Sequence, residues 1–294
     1  RDCDLIIAVG SRWDDRILGN PAKFGLHAKK IHVDIDPSEN AKLVKPDVFI
    51  QADARRCLDE LNVIASAGDT RAWLEQIKKN KRRYPLSYRK QGGLRPEQVI
   101  DSLNDYIASR KAIITTDVGQ HQMWAAQYIR MQENNMFVSS GGAGTMGFGM
   151  PAAIGAQFAH PDHLVVAIVG DGGFQMTLCE LATAQLHKLP IKVIIIDNKY
   201  LGMVRQWQEL FVDNRLSGVD LKGNPDFIKL AASYGVKGFH IRRKADIRKV
   251  YDQAFAYNEG PVVIWAEVER AMNVFPMLPP GKGYEDMLLE APSQ

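Results

Sequence analysis

The chain has 294 residues, 46% hydrophobic and 24% charged, with a formal net charge of +3 at neutral pH. That length accommodates two domains or one large one, and the apolar content is ordinary for a globular protein. The small net charge argues against nucleic acid and no apolar run is long enough to span a bilayer; the scattered Cys3, Cys57 and Cys179 form no disulfide framework or zinc site and fit a reducing compartment.

The opening Arg1 to Asp4 runs straight into an apolar strand, without an initiator Met or secretory signal, as if cut from the middle of a longer protein. Strands are predicted at 4–9, 30–35 and 47–51, then a helix over 54–65. Residues 1–68 thus read as part of a parallel α/β domain. Region 69–94 holds a helix over about 70–82, with a basic end (Lys78 to Arg83) that reads as a solvated face. A polar stretch between Tyr84-Pro85 and Gly92-Gly93 reads as an interdomain linker. A second α/β domain spans 95–271. Pro96 opens a helix to about 108. A strand (112–116), a helix (121–129), a short strand (136–139) and a helix (150–159) come next. The strand 164–169 leads to a helix over 177–188, stopped by Leu189-Pro190, and to the strand 191–196. Helices at 226–233 and 244–257 and a strand at 262–266 complete the domain. Residues 272–294, with Pro276, Pro279, Pro280 and Gly281, read as an irregular tail. The expected fold class is α/β, with two parallel-sheet domains.

The runs 164–169 and 191–196 are short, continuous and β-branched, as buried parallel strands are. The first leads into Gly170-Asp171-Gly172 and the second into Asn198, with 25 residues between Gly172 and Asn198. Both strand ends then lie on the carboxyl edge of one sheet, where ligands bind. An acid and an amide facing one point, with glycines that let the backbone approach an anion, suit Mg²⁺ holding a diphosphate.

Other candidates surround this unit. Gly142 to Gly147 spells G-x-G-x-x-G before a helix; it reads either as a dinucleotide fingerprint or as a backbone wall against a flat heterocycle, with Met146 as contact or core. Gln120 and His121 open a helix at the same sheet edge, as phosphate donors or as a cap. The apolar run Tyr200 to Trp207 is either a pocket wall or a helix packing face. In the first domain Gly10 to Arg16, Asp34 to Pro37, and Asp53 follow successive strand ends, which favours a nucleotide over three separate caps.

Together these strings resemble the catalytic subunits of acetohydroxyacid (acetolactate) synthases, enzymes dependent on thiamine diphosphate (ThDP). The matching runs are DVGQHQMWAAQ at 117–127, SGGAGTMGFGMPAAIGA at 140–156, GDGGFQM at 170–176, ELATA at 180–184 and LGMVRQWQELF at 201–211. GSRWDDR at 10–16, HVDIDP at 32–37 and PMLPPG at 276–281 carry the resemblance across nearly the whole chain.

The resemblance implies the second half of a central FAD-binding domain followed by a complete ThDP diphosphate-binding domain. It places Mg²⁺ on Asp171, Asn198 and the carbonyl of Tyr200. Gln120, His121, Gly172, Gly173, Gly202 and Met203 would line the diphosphate, and Gly144, Thr145 and Met146 the pyrimidine. Gly10, Ser11, Arg12, Trp13, Asp14, Asp34, Ile35, Asp53 and Ala54 would contact FAD. Asp15 and Arg16 would lie at the substrate channel, and Trp207 would shape the acceptor pocket. Two departures stand out: many relatives have Ser at Gly173 and Leu at Ala143. The implied reaction decarboxylates pyruvate and transfers the two-carbon unit to pyruvate or 2-ketobutyrate, in branched-chain amino-acid synthesis. It implies a homodimer or homotetramer with the active site at the subunit interface, a possible small regulatory subunit, and a cytoplasmic, plastid or mitochondrial location. The acid that activates the cofactor belongs to a pyrimidine domain of a partner subunit, so the isolated chain is expected to be inactive. Alternatives are glyoxylate carboligase, the FAD-free catabolic acetolactate synthase, a non-catalytic cofactor-binding module, and a nicotinamide dehydrogenase.

Overall fold

A computed structural model describes residues 2–89, 91–132 and 135–290, without the side chains of Asp15 and Arg16. The chain forms two compact units: one takes the residues up to Pro85 together with those from Phe275 onward, the other Leu86–Val274.

The first unit holds strands β1 (Leu5–Val9), β2 (Lys29–Asp34) and β3 (Val48–Gln51), parallel in that spatial order. Its helices are α1 (Asp15–Leu18), α2 (Ala54–Ile64) and α3 (Arg71–Arg83). Ala8, Trp13 and Leu18 form its small core, against Ile6, Phe24 and Val44. The segment after Phe275, expected as an irregular tail, is folded onto this unit. Met277 and Leu288 form an antiparallel bridge. Lys23 pairs with Glu285 at 2.7 Å and Asp286 at 3.3 Å, Asn20 donates to the Gly281 carbonyl, and the Tyr284 hydroxyl donates to the Ile17 carbonyl.

The second unit begins with α4 (Pro96–Ser102) and α5 (Asn104–Ile107), then β4 (Ala112–Thr116), α6 (Gln120–Tyr128), β5 (Met136–Ser139) and α7 (Gly149–Ala159). There follow β6 (Leu164–Gly170), α8 (Asp171–Thr177), α9 (Leu181–Leu186), β7 (Lys192–Asp197) and α10 (Gly202–Phe211). Then come α11 (Phe227–Ser233), β8 (Lys237–Ile241), α12 (Asp246–Ala256) and β9 (Val262–Glu267). The six strands form one parallel sheet in the order β5-β4-β6-β7-β9-β8.

Both faces of this sheet are covered, so its central strands are apolar throughout rather than alternating. Because side chains alternate along a strand, Ile114, Val166, Ile168, Ile194, Ile196 and Ile264 join one core with Trp124 of α6 and Tyr251 and Phe255 of α12. Their neighbours Ile113, Val165, Ala167, Val193, Ile195 and Val263 join the opposite core with Met150 of α7, Phe174 of α8 and Phe227 of α11. Strand order reverses between β4 and β6. That switch point opens a crevice at the carboxyl edge.

Two local features differ from the sequence reading. The helix expected over 177–188 starts six residues earlier, at Asp171, and is broken by a short 3₁₀ turn at Leu178–Glu180. The edge strand β8 was not anticipated, because Lys237 to Ile241 mixes a charge, a glycine and a histidine with two apolar residues.

Candidate active site

The crevice is a cleft partly open to solvent, lined by residues that follow three neighbouring strands. From β4 come Val118, Gly119, Gln120 and His121; from β6 come Gly170 to Gly173; from β7 come Asn198 and Tyr200 to Val204, and Met146 closes a side. Helices α6 and α10 start at this edge. Their first-turn N–H groups have no intrahelical partners and carry positive potential, which favours an anion.

The polar residues are fixed from behind. Asn198 donates from Nδ2 to Gln120 Oε1 (3.0 Å) and accepts at Oδ1 from the Tyr200 N–H (3.1 Å). Gln120 spends its own amide on Gln206 Oε1 and the Met272 carbonyl, both at 2.8 Å. With those bonds in place Gln120 acts as a strut for Asn198 and has no amide hydrogen left for a phosphate. Lys199 adopts φ 56°, the tight turn that brings Tyr200 back beside Asn198. Arg270 lies over the Tyr200 ring at 4.3 Å.

The glycines have reasons on the protein side as well as the ligand side. A Cβ at Gly170 would meet the His121 ring at 2.9 Å, and one at Gly172 would meet Leu201 at 2.8 Å. At Gly173 it would overlap an Asp117 carboxylate oxygen at 1.4 Å. A Cβ at Gly202 would sit 2.1 Å from Gln120 Oε1.

Electrostatically the site contains buried acids without cationic partners. Asp171 is 2% exposed and accepts at Oδ2 from Asn224 Nδ2 at 2.6 Å. Burial, reinforced by the neighbouring Asp197, pushes its carboxyl well above the usual carboxylate range. A divalent cation would reverse that penalty. Burial also raises Asp117, opposed by the N–H groups of Gly149, Gly147, Phe148 and Val118, none of which reaches it in good hydrogen-bond geometry. The His121 imidazole is pushed down to about 3 by burial and is neutral at physiological pH; its buried Nε2 has no partner. Among the described residues no three His, Cys, Asp or Glu side chains gather as a metal site. One carboxylate, one amide and a ligand's own phosphates suit Mg²⁺ better than an all-protein cage.

The remaining candidates fall as follows. Gly144 (φ 66°) and Thr145, whose N–H donates to Ser140 Oγ, sit in the loop before α7, and only Met146 of that trio lines the cleft. Met203 lines the cleft; Trp207, one helical turn on, packs edge-on against Phe211 and lies outside the lining. In the first unit, Gly10 (φ 63°) follows β1, Asp34 ends β2 and Asp53 follows β3, so all three share one sheet edge. Gly10 donates to the Val33 carbonyl, Asp34 accepts from the Asp36 N–H, and Asp53 caps α2 ahead of Ala54. Arg12 pairs with Asp14 at 2.9 Å, and Ile35 is exposed. Trp13 is buried, stacked on His32 at 4.5 Å, while His32 Nε2 donates to the Ser11 carbonyl; Trp13 thus supports the loop from the core side. The side chains of Asp15 and Arg16 lie outside the described structure. Asn224, Asp197 and Gln206 were not anticipated. Their roles depend on contacts between segments far apart in sequence, and no local motif marks them.

Comparison with known proteins agrees with this geometry. Residues 117–266 match the thiamine pyrophosphate enzyme C-terminal TPP-binding domain, and residues 1–61 the central domain of the same enzymes. Over 98% of its length the chain is 45% identical to the acetolactate synthase large subunit of Parasynechococcus marenigrum, covering 47% of that protein. The same share is 41% identical to the acetolactate synthase isozyme 2 large subunit of Escherichia coli, covering 52%. It is 39% identical to the mitochondrial acetolactate synthase catalytic subunit of Saccharomyces cerevisiae, covering 44%. The chain thus spans about half the length of the curated relatives it matches. Among the described residues no helix is long and apolar enough to cross a membrane. With its cleft at the sheet's switch point, its buried Asp171 and Asn198, and a domain match over that region, the chain belongs to the thiamine pyrophosphate enzymes.

Proposed function

We propose that this chain supplies the diphosphate-binding half of an acetolactate synthase active site. The reaction decarboxylates pyruvate and joins the two-carbon unit to pyruvate or 2-ketobutyrate. The observation that carries it is Asp171: a buried carboxylate with no cationic side chain hydrogen-bonded to it, lining the same cleft as Asn198 and the first residues of α6 and α10.

In this reading Asp171, the Asn198 side-chain oxygen and the Tyr200 carbonyl hold Mg²⁺. Held there, the ion would supply positive charge against the diphosphate. Thiamine diphosphate, when bound, would supply an electron sink for decarboxylation of a 2-keto acid. Gln120 keeps Asn198 oriented. His121 remains neutral and adds no charge on the diphosphate side. Met146 and Met203 present apolar, adaptable surface to the heterocycle, and their exclusion of water strengthens the charge interactions around Asp171. Asp171 is the only carboxylate among the described residues that line the cleft. Glu180 lies beyond α8, outside the lining. The acid that protonates the aminopyrimidine therefore comes from another domain, on a second subunit of a homodimer or homotetramer. The shared edge of Gly10, Asp34 and Asp53 is assigned to FAD, Asp15 and Arg16 to the substrate channel, and Trp207 to acceptor choice. A regulatory small subunit and a cytoplasmic, plastid or mitochondrial location belong to the same reading.

The test is acetolactate formation from pyruvate by the full-length protein with ThDP and Mg²⁺, together with its visible spectrum. Turnover, a flavin absorbance and loss of activity in Asp171→Ala are expected. Turnover of glyoxylate without acetolactate would move the assignment to another carboligase. Acetolactate without a flavin would move it to the FAD-free enzyme.

A further inference from the structure

Asp171 and Asp197 stand at the ends of adjacent strands β6 and β7, 2% and 1% exposed. Two buried carboxylates so placed repel each other. The two carboxyls lie within hydrogen-bonding reach of each other, and the other groups that reach them through hydrogen bonds are neutral. Asp197 accepts from Trp265 Nε1 (2.9 Å) at Oδ2 and from the Lys199 N–H (3.1 Å) at Oδ1. The Lys199 ammonium itself is turned to Glu267, at 3.2 Å.

Asn224 joins the two acids. Its Nδ2 donates to Asp171 Oδ2 at 2.6 Å and to Asp197 Oδ1 at 3.1 Å. Its Oδ1 accepts from Gln175 Nε2 at 2.9 Å, and the same Gln175 nitrogen donates to the Asp171 carbonyl at 3.1 Å. The amide has one workable orientation, since a flip would face its oxygen to two carboxylates. The backbone is fixed too. The Asn224 N–H donates to the Leu221 carbonyl, Leu221 donates to the Lys199 carbonyl, and Asp226 two residues on caps α11. Asn224 itself does not line the cleft.

We propose that Asn224 is a positioning residue for the cation site: its amide, bridging Asp171 and Asp197, holds Asp171 by one oxygen and leaves the other for a divalent cation. The inference rests on the reading of Asp171 as a cation ligand. Asn224 touches neither cofactor nor substrate. Outer partners of metal ligands act by fixing the ligand's orientation, and their loss typically weakens metal binding.

The experiment uses the full-length protein with Mn²⁺ as probe, titrated in the presence of thiamine diphosphate and followed by electron paramagnetic resonance. Asn224→Ala is expected to raise the Mn²⁺ half-saturation about 10- to 100-fold. kcat at saturating Mn²⁺ should stay close to wild type, because the chemistry is untouched once the ion is seated. Asn224→Ser, which keeps one short donor, should fall between wild type and alanine, and it carries the test if the alanine variant does not fold. A purely structural role would lower the melting temperature and leave the half-saturation of the folded protein unchanged. That result, in either variant, overturns the proposal. Asp171→Ala separates the two levels. If it binds Mn²⁺ as wild type does, the cation reading itself fails; if it loses Mn²⁺ while Asn224→Ala keeps wild-type affinity, only the role of Asn224 fails.

Discussion

Replacing Gly202 by alanine tests the idea that Asn198 is held by a packed strut. The added methyl would lie 2.1 Å from Gln120 Oε1 and 2.7 Å from Asn198 Nδ2, well inside van der Waals contact. Neither neighbour can retreat freely: Gln120 is tied to Gln206 and Met272, and Asn198 to Tyr200. Overpacking of this kind costs about 1–3 kcal/mol, and a broken hydrogen bond between buried amides adds about 1–3 kcal/mol where a group is left unpaired. The gain in helix propensity offsets at most about 1 kcal/mol. The net loss, about 1–5 kcal/mol, corresponds to a fall of about 2–4 °C in melting temperature per kcal/mol for a unit of this size. Because Asn198 moves, the Mn²⁺ requirement should rise as well. Thermal unfolding of the apoprotein and Mn²⁺ titration with thiamine diphosphate measure the two effects. Gly155→Ala is the control, since a methyl there meets nothing within 4 Å and should be neutral or stabilising. An unchanged melting temperature and unchanged Mn²⁺ half-saturation in Gly202→Ala would refute the strut.

His121 is neutral in the folded chain down to about pH 3, whereas an unfolded histidine protonates near 6.5. The unfolded state therefore binds more protons between those values, and stability falls as pH drops through that window, by up to about 1.4 kcal/mol per pH unit. His121→Gln should flatten that slope in denaturant titrations; an unaltered slope would show that other groups carry it. Buried Lys192, pushed down to about 8 mainly by desolvation, donates to the Tyr257 carbonyl. Charged in both states at pH 7, it penalises the folded one, so Lys192→Met should raise stability by about 1–3 kcal/mol there. That advantage should shrink as pH climbs from 8 to 10.5, and a destabilised Lys192→Met at pH 7 would refute it. Trp207→Leu should keep acetolactate formation and lose preference for 2-ketobutyrate by about 10–200-fold; an unchanged product ratio in mixed-substrate assays would remove Trp207 from acceptor choice.

The strands that position the cleft were legible because burial on both faces forces uninterrupted apolar runs, as at Leu164 to Val169 and Ile191 to Ile196. Asp171 and Asn198 were legible because a parallel sheet brings its strand ends to one edge. The start of α8 was hidden by Gly172 and Gly173, poor helix formers that the packing of Leu201 and Asp117 requires. Gln120 was readable as a residue at the site but not as a strut, since its partners Gln206 and Met272 lie 86 and 152 residues away. Asn224 and Asp197 had no local signature: an asparagine before a proline reads as a turn residue until its amide is seen between two carboxylates.

The strap after Phe275 has a consequence for synthesis. It completes the first unit, yet roughly 190 residues of the second unit intervene. At about 5–20 residues per second, a ribosome needs about 10–40 s to deliver them. Throughout that interval Lys23 lacks Glu285 and Asp286, and the Ile17 to Lys23 surface is uncovered. The second unit, contiguous in sequence, is free to fold meanwhile. Nascent chains stalled before and after residue 290 should therefore differ in protease resistance within 1–85 and not within 86–274, the inserted unit maturing ahead of the one that encloses it in sequence.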